Sequence, residues 1–136
     1  MTKQHPQILI VEAEEVIADI TAFRLELLGF DVSVAHRGEQ VNELLQARKP
    51  DLFIIDMQLP GLSGLALIEQ VTASEATGKI PVIAISFDAN TDQVQQAFAA
   101  GAADYLVAPF DPLVLEEKVS NLIGASSALR VSAARG

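Results

Sequence analysis

An unbroken apolar run, Leu52 to Ile55, ends on Asp56 and is followed by Pro60, Gly61, Ser63 and Gly64. The run has no polar alternation, so as a strand it must be covered on both faces, the condition of a parallel sheet flanked by helices. The breakers then take the chain out of the sheet and into a helix. A carboxylate on the last residue of such a strand faces the crevice at the strand ends, where open α/β sheets bind their ligands. Asp56 is therefore the leading candidate for chemistry.

Around this stretch the chain alternates strand and helix five times. Ile8 to Val11 reads as the first strand, and Glu14 to Leu28 as a helix whose Val16, Ile20, Phe23 and Leu27 form one buried face. Gly29 is placed to cap that helix, and Asp31 to Ala35 reads as an edge strand with Val32 and Val34 alternating. Gly38 to Arg48 forms a second helix with Val41, Leu44 and Leu45 on one side, stopped by Pro50. The helix after Ser63 buries Leu65, Ile68 and Val71. Ile80 to Ile85 is the fourth strand, and Asn90 to Ala100 a helix with Val94, Ala97 and Phe98 facing in, ended by Gly101. Asp104 to Val107 is the fifth strand. Asp111 and Pro112 pair as N-cap and first-turn proline of a last helix with Leu115, Val119, Leu122 and Ile123 inward.

Short connections between alternating elements imply right-handed crossovers and an α/β doubly wound five-stranded parallel sheet, order 2-1-3-4-5, flavodoxin-like in type. The switch point then lies between strands one and three and sets Glu12 beside Asp56, with Ser86, Tyr105 and Ala108 further along the same edge. Carboxylates next to a hydroxyl suit a divalent cation and an oxyanion. The 136 residues divide into a flexible start at 1–7, one domain at 8–123, and a flexible tail or linker stub at 124–136, where the composition turns small and polar.

The charge balance limits partners. Nine basic against 18 acidic residues give a formal charge of −9, which disfavours direct contact with nucleic acid or anionic lipid. There is no cysteine for a disulfide or thiolate metal site, and no apolar run approaches the roughly 18 residues of a membrane span. The expectation is a cytoplasmic protein.

The stretches ILIVE, PDLFIIDMQLPGLSG, IPVIAIS and GAADYLVAPF together resemble the receiver domains of two-component response regulators, from about Ile8 to Ile123. The resemblance implies a signalling domain rather than an enzyme. It implies that Asp56 accepts a phosphoryl group from a histidine kinase, that magnesium bridges it to an acidic pair after strand one, and that Ser86 and Tyr105 respond. It also implies a lysine before Pro109 and an X-Pro bond there that is cis. Partners implied are a histidine kinase or a downstream effector, meeting the surface of helix four, strand five and helix five around Gln95, Asp104, Glu116 and Lys118; a homodimer through that face is a further expectation.

The chain departs from that pattern at its charges. Ala13 stands where the second acid, the usual direct metal ligand, is expected, and Ala108 stands in place of the lysine. Phosphoryl transfer draws on positioning and charge neutralisation, so losing both removes most of the machinery. Phe87, after Ser86, adds a bulky ring where the family keeps a small residue, expected to narrow access to Asp56. Glu12, Asp56 and the Gln58 carbonyl remain for a weak magnesium site at most. His5 and His36 have no partner at ligand spacing and read as surface residues, and Arg37 reads as too distant to replace the lysine. The favoured reading is an atypical receiver, a protein-interaction module with weak or no phosphorylation. The alternative is a conventional magnesium-dependent receiver phosphorylated on Asp56. A remote alternative, a flavodoxin-like nucleotide or flavin binder, meets carboxylates and no glycine in the turn EAEEV.

Overall fold

The computed structural model describes residues 5–135, with side chains through Gly124. The expectation of a flexible start therefore falls largely on residues outside this range. Five strands, β1 (Gln7–Val11), β2 (Asp31–Ala35), β3 (Leu52–Asp56), β4 (Val82–Ser86) and β5 (Asp104–Val107), alternate with five helices. These are α1 (Glu15–Leu27), α2 (Val41–Ala47) after a 3₁₀ turn at Gly38–Gln40, α3 (Gly64–Ala73), α4 (Thr91–Ala100) and α5 (Pro112–Arg135). All strand pairs are parallel, in the order β2-β1-β3-β4-β5. The doubly wound sheet read from the alternation is therefore the observed one. α5 continues through the stretch that the composition marked as a tail; its alanines, Leu129 and the arginines are good helix formers.

Every residue of β3 is buried, as its unbroken apolar run requires of a central strand. Successive side chains leave it on opposite faces. Phe53 and Ile55 join Leu9, Val11, Val82 and Ala84 under α2, α3 and α4, while Leu52 and Ile54 join Ile8, Ile10 and Ile83 under α1 and α5. On this second side α5 contributes Leu115, Val119 and Ile123, the spacing expected of its stripe. Leu122 is only half-buried there.

Two helices orient differently from the sequence reading. In α1 the residues Val16, Ile20, Phe23 and Leu27 are 56–71% exposed, and the helix buries Ala18, Ala22 and Leu25 instead. Residues two apart lie about 200° around a helix, so the two sets share one period on opposite faces. The smaller set faces in because alanines let α1 lie close to the sheet. In α4 Ala97 is buried but Phe98 points outward, 45% exposed, and Val94 is half-buried. In α3 the fully buried set is Leu67, Ile68 and Val71, with Leu65 half-buried against the same core.

The joints that aim the site are local. The Ser63 hydroxyl accepts from the Ala66 N–H at 3.1 Å and caps α3. A Cβ at Gly64 would run into the Asp56 carbonyl and the Met57 Cα, so only glycine lets α3 start against the end of β3. Gly101, at φ +118°, ends α4 in the left-handed region as expected. Asp111 Oδ1 accepts from the Leu113 N–H at 2.9 Å at the start of α5, and the Ala108–Pro109 peptide is cis.

Candidate functional site at the carboxyl edge of the sheet

The register pairs Val11 with Ile55, which brings the next residues, Glu12 and Asp56, together at the strand ends. Both are nearly buried, at 7% and 6% exposure. The Asp56 Oδ1 accepts the Gln58 N–H at 2.9 Å, and the Glu12 Oε2 accepts the Glu14 N–H at 3.1 Å. The two carboxyls lie close enough for Asp56 to influence the protonation of Glu12. Burial pushes the Glu12 carboxyl up to about 7; neighbouring Asp56 adds to the rise, against backbone N–H groups of Glu14 and Ala13. Burial therefore favours the neutral, protonated form of Glu12.

The β4 side of the site is a connected polar network. Ser86 is fully buried, and its Oγ accepts from the Gln58 Nε2 at 2.7 Å and from the Asp88 N–H at 2.9 Å. The same hydroxyl donates to the Gln93 Oε1 at 3.4 Å. The Gln58 Oε1 in turn accepts the Phe87 N–H at 3.3 Å. Tyr105 is half-buried, away from the carboxyls, and its hydroxyl donates to the Asp88 carbonyl at 3.0 Å. Backbone and side-chain bonds thus run from Asp56 through Gln58, Ser86 and Asp88 to Tyr105. The sequence reading missed the side chain of Gln58, which ties the β3 loop to β4, and Gln93. No spacing rule distinguishes either from an ordinary surface glutamine.

The β1 and β5 side has no such network. Ala13 is half-buried and packs against the core, offering a methyl where a ligand oxygen was sought. Ala108 and Phe87 line a cavity beside the acid pair together with residues of α1 and the start of α5. Phe87 is 62% exposed and stands at the rim of that cavity rather than closing it. Arg37 pairs with Glu39 at 3.4 Å on the surface, consistent with its expected distance from the acids. His36 is not simply a surface residue: its Nδ1 lies 3.0 Å from the Glu12 carbonyl oxygen and helps fix the β1–α1 turn.

Magnesium asks for near-octahedral oxygen donors. The chain offers two carboxyls already committed to backbone N–H groups, with burial favouring the protonated form of Glu12. Among the described residues no group of three or more His, Cys, Asp or Glu side chains converges. The donor set does not fit the ion well. Nor, among the described residues, is any helix long and apolar enough to cross a membrane.

Comparison with known proteins agrees with this architecture. The response regulator receiver domain profile matches residues 8–120. The phosphate regulon transcriptional regulatory protein PhoB of Rhizobium meliloti is 34% identical over 118 residues, covering 87% of this chain and 52% of that protein. The transcriptional regulatory protein CseB of Streptomyces coelicolor is 37% identical over 112 residues, 82% of this chain and 47% of its own length. The chain thus spans about half the length of these curated relatives. Among solved structures, a putative response regulator from Chloroflexus aurantiacus superposes with a TM-score of 0.84 at 29% identity, covering 89% of this chain and 99% of that one. The receiver domain of a Pseudomonas aeruginosa sensor histidine kinase, which has a magnesium ion coordinated in its active site cleft, gives 0.80 at 27% identity over 89% and 99%. Profile, relatives and sheet topology agree that this chain belongs to the response regulator receiver domain family of two-component signalling proteins.

Proposed function

We propose that this receiver domain is an atypical one, a protein-interaction module whose acidic site accepts a phosphoryl group weakly or not at all. The observation that carries the reading is the pairing of Glu12 with Asp56 in a nearly buried site, with Ala13 and Ala108 where a ligand and a cation are needed. Transferring a phosphoryl group to Asp56 would put more negative charge against Glu12 with nothing built to neutralise it. Ser86 and Tyr105, as switch residues, would then be held in one arrangement by the network around Gln58 and Asp88.

Partners of this module are a histidine kinase or a downstream effector, in the cytoplasm, met through α4, β5 and α5 around Gln95, Asp104, Glu116 and Lys118, the face through which a homodimer would also form. Phe98 of α4 and Val107 of β5 are exposed apolar side chains there, the kind that interface centres bury. Lys118 and Asp104 pair at 2.7 Å and order charge on that face, whereas Glu116 is held at 2.8 Å by Arg24 of α1, on the side of α5 turned towards α1. The net charge of −9 argues against direct nucleic-acid contact.

A conventional magnesium-dependent phosphoacceptor on Asp56 is the second reading, favoured by the unbroken network from Asp56 to Tyr105. Titration with magnesium and beryllofluoride, a phosphoryl mimic, separates the two when backbone amide resonances are followed. The atypical module shows no saturable shifts at Asp56, Ser86 or Tyr105, and Asp56→Asn captures the same partners as the parent chain. Saturable shifts running along that network would support the conventional switch.

A further inference from the structure

Beside the acid pair the sheet edge opens into a cavity of about 260 Å³ between α1 and the start of α5. Ile17 and Ile20 of α1, Phe87, Ala108 and Phe110 form much of its wall, while Glu12 and Asp56 are its charged members. Among the described residues no lysine, arginine or histidine lines it. Arg24, one helical turn beyond Ile20, is committed to Glu116 at 2.8 Å. The volume lies just under the range of about 300–1,000 Å³ usual for small-molecule pockets, and apolar walls with a few convergent polar groups are their ordinary composition. A long side chain at Ala108 would enter this space; the methyl leaves both the volume and the negative charge uncovered.

We propose that this cavity binds a small apolar molecule carrying one ammonium or guanidinium head. The apolar body lies against Ile20, Phe87 and Phe110, and the head meets Glu12 and Asp56. The inference rests on the reading that the site does not work through phosphate, and it gives the module a trigger of different chemistry. Charge complementarity selects the occupant. A neutral apolar molecule would desolvate the carboxyls without a partner, an anion would add repulsion, and hydrated magnesium would have to lie against hydrocarbon walls. An organic cation satisfies the acid pair and the walls together, and its head supplies the charge that Ala108 lacks.

The test uses the full chain without magnesium or phosphodonor. Its probe is 2-phenylethylamine, with 2-phenylethanol and phenylacetate as neutral and anionic controls, read by NMR shifts of amides and isoleucine methyls. Expected are saturable shifts at Ile17, Ile20 and Ala108, and an affinity for the amine about tenfold or more above that for the alcohol, the value of a charge-assisted hydrogen bond. Ala108→Lys places a tethered ammonium in the cavity and weakens amine binding by about tenfold or more. Asp56→Asn removes the negative charge that the head meets, brings amine and alcohol towards equal affinity and serves where the lysine variant does not fold. Equal binding of amine and alcohol, shifts away from the cavity, or binding unchanged in both variants would overturn the proposal. So would magnesium displacing the amine from the same residues. A phosphoryl adduct on Asp56, sought separately by intact mass, would sink the phosphate-independent reading, while the amine titration alone decides the ligand.

Discussion

The two flanks of the site are built on opposite terms. On the β4 flank every polar side chain has its partners: Ser86, Gln58, Asp88, Gln93 and Tyr105 form one bonded network. On the β1 and β5 flank two nearly buried carboxyls stand side by side at an apolar cavity, with alanines at 13 and 108. The contrast separates two properties that a receiver needs. Position is a matter of backbone and bonded neighbours, and this chain keeps it. Charge neutralisation is a matter of a few side chains, and here alanine stands at positions 13 and 108.

The largest effect should come from supplying what the second flank lacks. Ala13→Asp with Ala108→Lys adds a metal-ligating oxygen and a cation, and should raise phosphoryl acceptance on Asp56 by about 10²-fold or more, the scale of a lost electrostatic stabiliser in reverse. A time course of phosphodonor labelling checks this; no gain in a folded double variant would mean that the geometry too is unfit.

The next effect concerns pH. Folded Glu12 keeps its proton up to about pH 7, whereas its ordinary value is 4.5. Between these limits folding takes up a proton, so the stability this group contributes is fully present below about pH 4.5 and is lost as pH rises through 7. The loss is on the order of 3 kcal/mol. Denaturant unfolding of the parent chain and Glu12→Gln at pH 5 and pH 8 checks it, since the glutamine should show a correspondingly shallower fall.

On the first flank, Ser86→Ala leaves the Gln58 Nε2 and the Asp88 N–H without their acceptor and should cost about 1–3 kcal/mol. A neutral result in chemical denaturation would show that Gln93 or water replaces the hydroxyl. The smallest effect is expected for Asp56→Asn. It keeps an oxygen for the Gln58 N–H and removes a buried charge beside Glu12, so stability should rise slightly or fall by less than about 1 kcal/mol. A larger fall in the same assay would give Asp56 a structural part that its single backbone bond does not suggest.

Much of this arrangement is legible in the residues. The unbroken run ending at Asp56, the Asp111–Pro112 pair, Ser63 at the start of α3 and Gly101 after α4 each act through local chemistry, and each stands where that chemistry predicts. The inner face of α1 is not legible in the same way. Val16, Ile20, Phe23 and Leu27 obey the helical period, but Ala18, Ala22 and Leu25 obey it too, and close approach to the sheet favours the smaller set. Periodicity gives two candidate faces, and only packing chooses between them. The site divides likewise: Glu12 beside Asp56 follows from strand order, whereas the reach of Gln58 to Ser86 depends on where two loops meet. His36 shows the same limit, since its bond to the Glu12 carbonyl crosses from β2 to β1.

The account turns on whether Asp56 still takes a phosphoryl group. Intact mass after incubation with a small phosphodonor and magnesium, run beside Asp56→Asn, tests this directly. The depleted flank predicts no added phosphoryl mass in either protein. A gain of one phosphoryl group in the parent chain that vanishes in Asp56→Asn would contradict the account and restore the conventional switch.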